Sequence, residues 1–99
     1  MAIVEVCVVP LGTGSTSVSG YVAACHKVLQ QEKDLQYQLT PMATIIEGDL
    51  DKIMAAILKM HEVPFAAGAG RVNTIIRIDD RRDKVRTMAD KIASVEEKL

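Results

Sequence analysis

The sequence predicts an α+β domain of ferredoxin-like βαββαβ type, an antiparallel sheet backed by helices, with one additional C-terminal helix. Two observations lead there. Segments with strand and helix periodicity follow one another in the order β-α-β-β-α-β-α, with no repeat, linker or low-complexity stretch between them. The chain is 99 residues long and 48% hydrophobic, enough to bury one core without metal or disulfide staples, so residues 1–99 form a single domain.

The first strand is Ile3-Val4-Glu5-Val6-Cys7-Val8-Val9, β-branched and apolar on both faces except at Glu5, as a central strand should be. Pro10 is expected to end it, before a loop of small residues from Leu11 to Ser17. Val18, Tyr21, Val22, Cys25, Val28 and Leu29 then repeat at helix spacing, and Ser15, Thr16 and Ser17 offer N-cap oxygens for a helix running to about Lys33. Leu35–Leu39 alternates strictly, and Met42–Gly48 follows after Thr40-Pro41, two short strands with a tight connection. Asp49 caps a second helix carrying Leu50, Ile53, Met54, Ile57 and Leu58 to about His61, with Val63–Gly70 expected as a loop. Arg71–Asp79 is the last strand, and a helix from about Arg82 to Glu97 sets Val85, Met88, Ala89, Ile92 and Val95 on one side.

Composition excludes several function classes. Twelve basic against 13 acidic residues leave a net charge of −1, which removes the cationic surplus of a nucleic-acid module or a polybasic membrane-surface domain. No apolar run approaches the ~20 residues of a bilayer span, and Met1 leads straight into a strand-like segment, so a cytoplasmic protein is expected. The two cysteines, Cys7 and Cys25, lie in apolar segments without metal-ligand spacing and read as reduced, mostly buried thiols. Tyr21, Tyr37 and Phe65 are the only aromatics, too few to stack single-stranded nucleic acid. No catalytic constellation and no metal site is legible: neither His26 nor His61 is placed with a nucleophile, and Asp79, Asp80 and Asp83 read as turn residues.

In the expected 4-1-3-2 sheet, both crossover helices cover one face. The other face, with Ile3, Glu5, Cys7 and Val9 beside Ile75 and Arg77, needs cover from the third helix and a second subunit, which points to a homo-oligomer. Taking strand 4 antiparallel and strand 3 parallel to strand 1 gathers Thr13, Ser15, Ser17, Ser19, Thr44, Glu47, Arg71 and Thr74 at one corner. Small polar groups against an aliphatic sheet suit a small-molecule pocket. Each has a plainer role available: caps for the serines, strand positions for Thr44 and Thr74, a mutual ion pair for Glu47 and Arg71. Gly12-Thr13-Gly14 resembles part of a phosphate loop, but Ser17 stands where a third glycine would, so the nucleotide signal is weak.

Pro10–Gly14 with Ser17-Val18-Ser19 and Tyr21-Val22, Tyr37-Gln38-Leu39, Pro41–Gly48, Gly70–Thr74 and Lys91–Val95 together resemble the YkoF-like thiamine-binding protein family, in order and at family spacing. The resemblance implies a ferredoxin-like domain that pairs its sheets into dimers and tetramers. It further implies binding of thiamine, or its hydroxymethylpyrimidine part, without catalysis and with no other cofactor. Carried over by position, it assigns ligand contacts to Ser17, Ser19, Thr44, Arg71 and Thr74. Glu47 is added as a rim carboxylate complementary to the thiazolium cation, and Tyr37 or Phe65 as the ring available for stacking. Ala43 stands where the family often has glycine, and its methyl narrows the space beside Thr44. Two other readings compete: an oligomeric interaction module that binds no small molecule, and an enzyme holding a phosphorylated metabolite with Arg71 and the start of the first helix.

Overall fold

The structure, a computed structural model, describes residues 1–99. Seven elements follow in order: β1 (Ala2–Leu11), α1 (Ser19–Gln30), β2 (Gln36–Leu39), β3 (Thr44–Gly48), α2 (Leu50–Ala66), β4 (Arg71–Asp80) and α3 (Met88–Glu96). The strands form one sheet in the order β2-β3-β1-β4, and every neighbouring pair is antiparallel. The α+β class and strand order therefore match the expectation.

The direction expected for the third strand does not. The α1 crossover returns β2 in the direction of β1, and the tight β2–β3 connection reverses β3, so β3 runs against β1. Thr44 lies opposite Val6 and Glu47 opposite Ile3, which puts Glu47 near the start of β1 instead of its end. Arg71 and Thr74, opposite Leu11 and Val8, do lie towards the end of β1.

Alternation along β1 decides what is buried. Ala2, Val4 and Val6 face the helices and are buried with Ile46 from β3, Cys25 and Leu29 from α1, and Ile53, Ala56, Ile57 and Met60 from α2. This aliphatic layer is the core, and burying each of its larger side chains is worth about 1.5–3 kcal/mol. The opposite face carries Ile3, Glu5, Cys7 and Val9, half-buried, beside the exposed Ile75 and Arg77. Gly48 closes β3 at φ +152°, a conformation that strains any L side chain, and an added methyl would also meet Leu35 Cδ2 at 2.7 Å.

Three boundaries depart from the sequence reading, each for a local reason. Pro10 does not end β1: β3 begins at Thr44, opposite Val6, so the last residues of β1 pair on the β4 side only, where a proline is tolerated. The serines before α1 do not cap it. Val18 is the N-cap without a side-chain bond, while Ser15 Oγ accepts from Ser17 N at 3.1 Å. Helix α2, capped by Asp49 as expected (Lys52 N to Oδ2, 3.2 Å), runs through Pro64 to Ala66. Pro64 cannot donate to the Met60 carbonyl, and the Cys25 thiol from α1 does so instead, at 3.4 Å. Burial pushes the pKa of that thiol up, which keeps it a neutral donor.

The last helix is shorter than the sequence suggests. Residues 82–87 are mostly exposed, with Arg81 paired to Asp83 and Arg82 to Asp80, and α3 begins only at Met88. Thr87 and Asp90 form a reciprocal capping box, each backbone N–H bonded to the other's side chain at 3.0 Å. No residue of α3 is fully buried, and Ile92 and Val95 are exposed. No helix is long and apolar enough to cross a membrane.

Candidate functional site

Because β3 begins at Thr44, opposite Val6, while β1 continues to Leu11, the sheet narrows on that side, and Cys7–Val9 have no partner on β3. A cleft opens in the gap. Its chamber has a volume of about 150 Å³. Val6 to Val9 form the floor, Val18, Val22 and Cys25 of α1 one wall, Leu39 to Thr44 the opposite rim, and Met60 of α2 the back. Eleven of its 14 lining residues are hydrophobic, so the few polar groups decide orientation.

Thr44 is the polar side chain at the centre of this arrangement. It is 9% exposed, on the helix-facing side of β3, and lines the chamber. Thr40 is already committed. Its Oγ1 donates to the Ala43 carbonyl (2.7 Å) and accepts from Ala43 N (3.1 Å), stapling the turn that forms the rim. Ala43 lines the chamber too. The unpaired edge of β1 adds main-chain groups. Successive residues direct N–H and C=O to alternate sides, so within Cys7–Val9 at least one pair points away from β4 and towards the gap.

The chamber continues into an outer groove of about 680 Å³ between α1 and the β2–β3 turn, and the two share Val18, Val22, Leu39, Thr40 and Pro41. Ser17 and Ser19 sit here, their hydroxyls 3.4 Å apart, along with His26, Lys27 and Gln30. Helix α1 presents Val18, Val22 and His26 at four-residue spacing, which is why one stripe serves both chamber and groove. Behind the groove, the rings of His26 and Tyr37 meet edge to face, with centroids 4.9 Å apart.

Of the six residues singled out from sequence, Thr44 lies in the chamber and Ser17 and Ser19 in the groove. The other three are elsewhere. Glu47 is buried on the opposite face of the sheet, where Oε2 accepts from Met88 N at 2.7 Å and holds the start of α3. Thr74 Oγ1 shares a 2.7 Å hydrogen bond with His61 Nδ1, and Arg71 is an exposed residue at the first position of β4. Neither lines the cleft. Phe65 packs edge to face on His61 at 5.5 Å, away from the chamber. His26, which also lines the groove, is not among the six. Its spacing of four from Val22 was the available signal.

A family model described as "Thiamine-binding protein" matches residues 4–96. The UPF0045 protein YqgV of Bacillus subtilis is 52% identical over 100% of this chain and 98% of its own length. A UPF0045 protein of Methanothermobacter thermautotrophicus is 45% identical over the full length of both chains. Among solved structures, a hypothetical protein of Methanocaldococcus jannaschii superposes with a TM-score of 0.86 at 35% identity, covering 97% of this chain and 96% of that one. A Thermotoga maritima protein, provisionally described as a thiamine biosynthesis/salvage protein, shares the fold with a TM-score of 0.78. It is 18% identical and covers 95% of this chain and 97% of that one.

Proposed function

The chain belongs to the thiamine-binding protein family, and from that premise we propose that its cleft binds thiamine or the hydroxymethylpyrimidine part of it, without catalysis. The observation that carries the reading is the size of the inner chamber. A dry cavity of roughly 150 Å³ accepts one six-membered ring, and the chamber's volume is about 150 Å³. Thiamine has two rings, so the pyrimidine occupies the chamber and the remainder of the molecule lies in the outer groove.

The chemistry of the walls supports this orientation. An aminopyrimidine carries ring-nitrogen acceptors next to an exocyclic amine donor. The unpaired β1 edge at Cys7–Val9 offers matching main-chain donors and acceptors, and the Thr44 hydroxyl can serve as either. Val6, Val8, Val22 and Met60 cover the ring faces. Ser17 and Ser19 meet the part of the ligand in the groove. Arg71, Thr74 and Glu47 are left out of the contact set, because each is placed outside the cleft.

A carrier, buffer or sensor in the cytoplasm fits a binding chamber lined mainly by aliphatic side chains. Self-association as a dimer or tetramer belongs to the same proposal. The exposed Ile75, together with half-buried Cys7 and Val9, forms an apolar strip on the sheet face that α3 leaves open. Isothermal titration with thiamine and with the free hydroxymethylpyrimidine tests the reading. Saturable heat at about one site per chain is the expected result. Absence of heat with both, up to about millimolar concentration where binding is already weak, defeats it in favour of an interaction module.

A further inference from the structure

We infer that the outer edge of β4 pairs with β4 of a second copy of this chain, antiparallel about a two-fold axis at Ile75, joining the two four-stranded sheets edge to edge. The inference rests on the self-association proposed above and gives it an interface. It draws on no part of the cleft, which lies between α1 and the β2–β3 turn.

The edge is open and regular. β4 stands last in the sheet order, and all ten of its residues, Arg71 to Asp80, pair with β1 without a bulge. Its outer side therefore presents a continuous row of main-chain N–H and C=O groups, and no other backbone of the chain bonds to them. Edge strands are ordinarily guarded by proline, a bulge or lysine, and β4 has none of these. Its middle is apolar on both faces instead. Ile75 is 62% exposed on the open face, and Ile76 and Ile78 are 38% and 46% exposed on the helix side. Arg77, the one central charge, leans on Glu5 of β1 at 3.8 Å.

Charge selects both the occupant and the register. β4 begins with a cation, Arg71, and ends with Asp79 and Asp80. A parallel copy would align like charges, whereas an antiparallel copy aligns opposite ones. An axis perpendicular to the sheet leaves each side chain on its own face, so opposed residues are both odd or both even, as they are between β1 and β4. Centring the pair on Thr74 sets Arg71 against Arg77. Centring it on Ile76 sets Ile75 against Arg77 and Val72 against Asp80. Centring it on Ile75 sets Arg71 against Asp79, Asn73 against Arg77, Val72 against Ile78 and Ile75 against itself. Only that register brings opposite charges together and sets no charge against an aliphatic side chain. Arg71, which has no ion pair within its own chain, gains one there.

Sedimentation of the full chain at low ionic strength, alone and as charge variants, tests the inference. The parent chain is expected to associate. Arg71→Asp and Asp79→Arg, both at exposed positions, each set like charges together on both sides of the axis and should weaken association at least about tenfold. Mixed in equal amounts, the two variants set opposite charges together, and association should return to near the parent level. A variant that had lost its fold could not be rescued by the other, so recovery on mixing reports the register. With the native thiols replaced (Cys7→Ser, Cys25→Ser), Ile75→Cys should form a disulfide between copies under mild oxidation. Asn73→Cys, which faces Arg77 of the second copy, should not. Association that both variants leave intact, that mixing fails to restore, or in which Ile75→Cys links no faster than Asn73→Cys overturns the inference and leaves the open sheet face as the surface of association. A parent chain that stays monomeric up to about millimolar concentration brings down self-association and this inference with it, while titration of the cleft is unaffected.

Discussion

Thr44 and Glu47 are three residues apart on β3 and almost equally buried, at 9% and 8% exposure. Their odd separation sends them to opposite faces of the sheet, and there they meet different fates. Glu47 is taken up by the fold: its carboxylate receives the first N–H of α3, where the positive end of the helix dipole favours an anion. Thr44 faces the chamber, and no hydrogen bond of the fold engages its hydroxyl. A buried polar side chain with a partner inside the chain is part of the structure. One facing a ring-sized space is available for recognition.

Three changes break or sharpen that contrast. The largest effect belongs to Glu47→Ala, which leaves Met88 N without its partner and removes a buried charged hydrogen bond. About 2 kcal/mol of stability should be lost by urea denaturation, with faster amide exchange in α3 and pyrimidine affinity unchanged. A parallel fall in affinity would erase the distinction between the two residues. Thr44→Val keeps the shape and removes the hydroxyl. Affinity for the pyrimidine should drop about tenfold, while stability stays within about 0.5 kcal/mol of the parent. Loss of stability without loss of binding would make Thr44 the structural residue instead.

The smallest effect concerns the capping box that continues from Glu47 into α3. The backbone N–H of Thr87, and then its hydroxyl, hold the Asp90 carboxyl below its usual range. A depressed carboxyl pKa contributes stability that is present above the unfolded value, about 3.9, and is lost as pH falls through the folded value. The first turn of α3 should therefore fray on acidification below about pH 4, seen as faster exchange at Asp90 and Lys91. The chamber side, which has no such carboxylate, should keep its protection over the same range. Uniform loss on both sides would mean that the two ends of the sheet are not independent.

The sequence states some of this outright and conceals the rest. The β-branched run of β1, the alternation of β2 and the Asp49 cap are local signals, and all three are realised. Helix α2 was expected to stop before Pro64, because proline breaks helices when nothing compensates. The compensation comes from Cys25, 35 residues before Met60 in the chain, and no local window contains it. The end-to-end placement of Glu47 depended on strand direction, and one reversal moved it the length of β3. Ser17 and Ser19 reach the cleft because their positions depend on which elements meet, and Thr44 reaches it because it opens β3, opposite Val6.

The late start of β3, at Thr44 opposite Val6, has a consequence for how such a scaffold diversifies. The rim from Thr40 to Ala43 belongs to neither flanking strand, and it closes on itself through the Thr40 hydroxyl. A residue inserted or exchanged there changes the depth of the cavity and the shape of its entrance. The register that joins β1 to β3 and β4 need not shift with it. Small differences in this one turn can therefore retune ligand choice among relatives that keep the same core, and it is the segment to randomise in a library aimed at a new ring system.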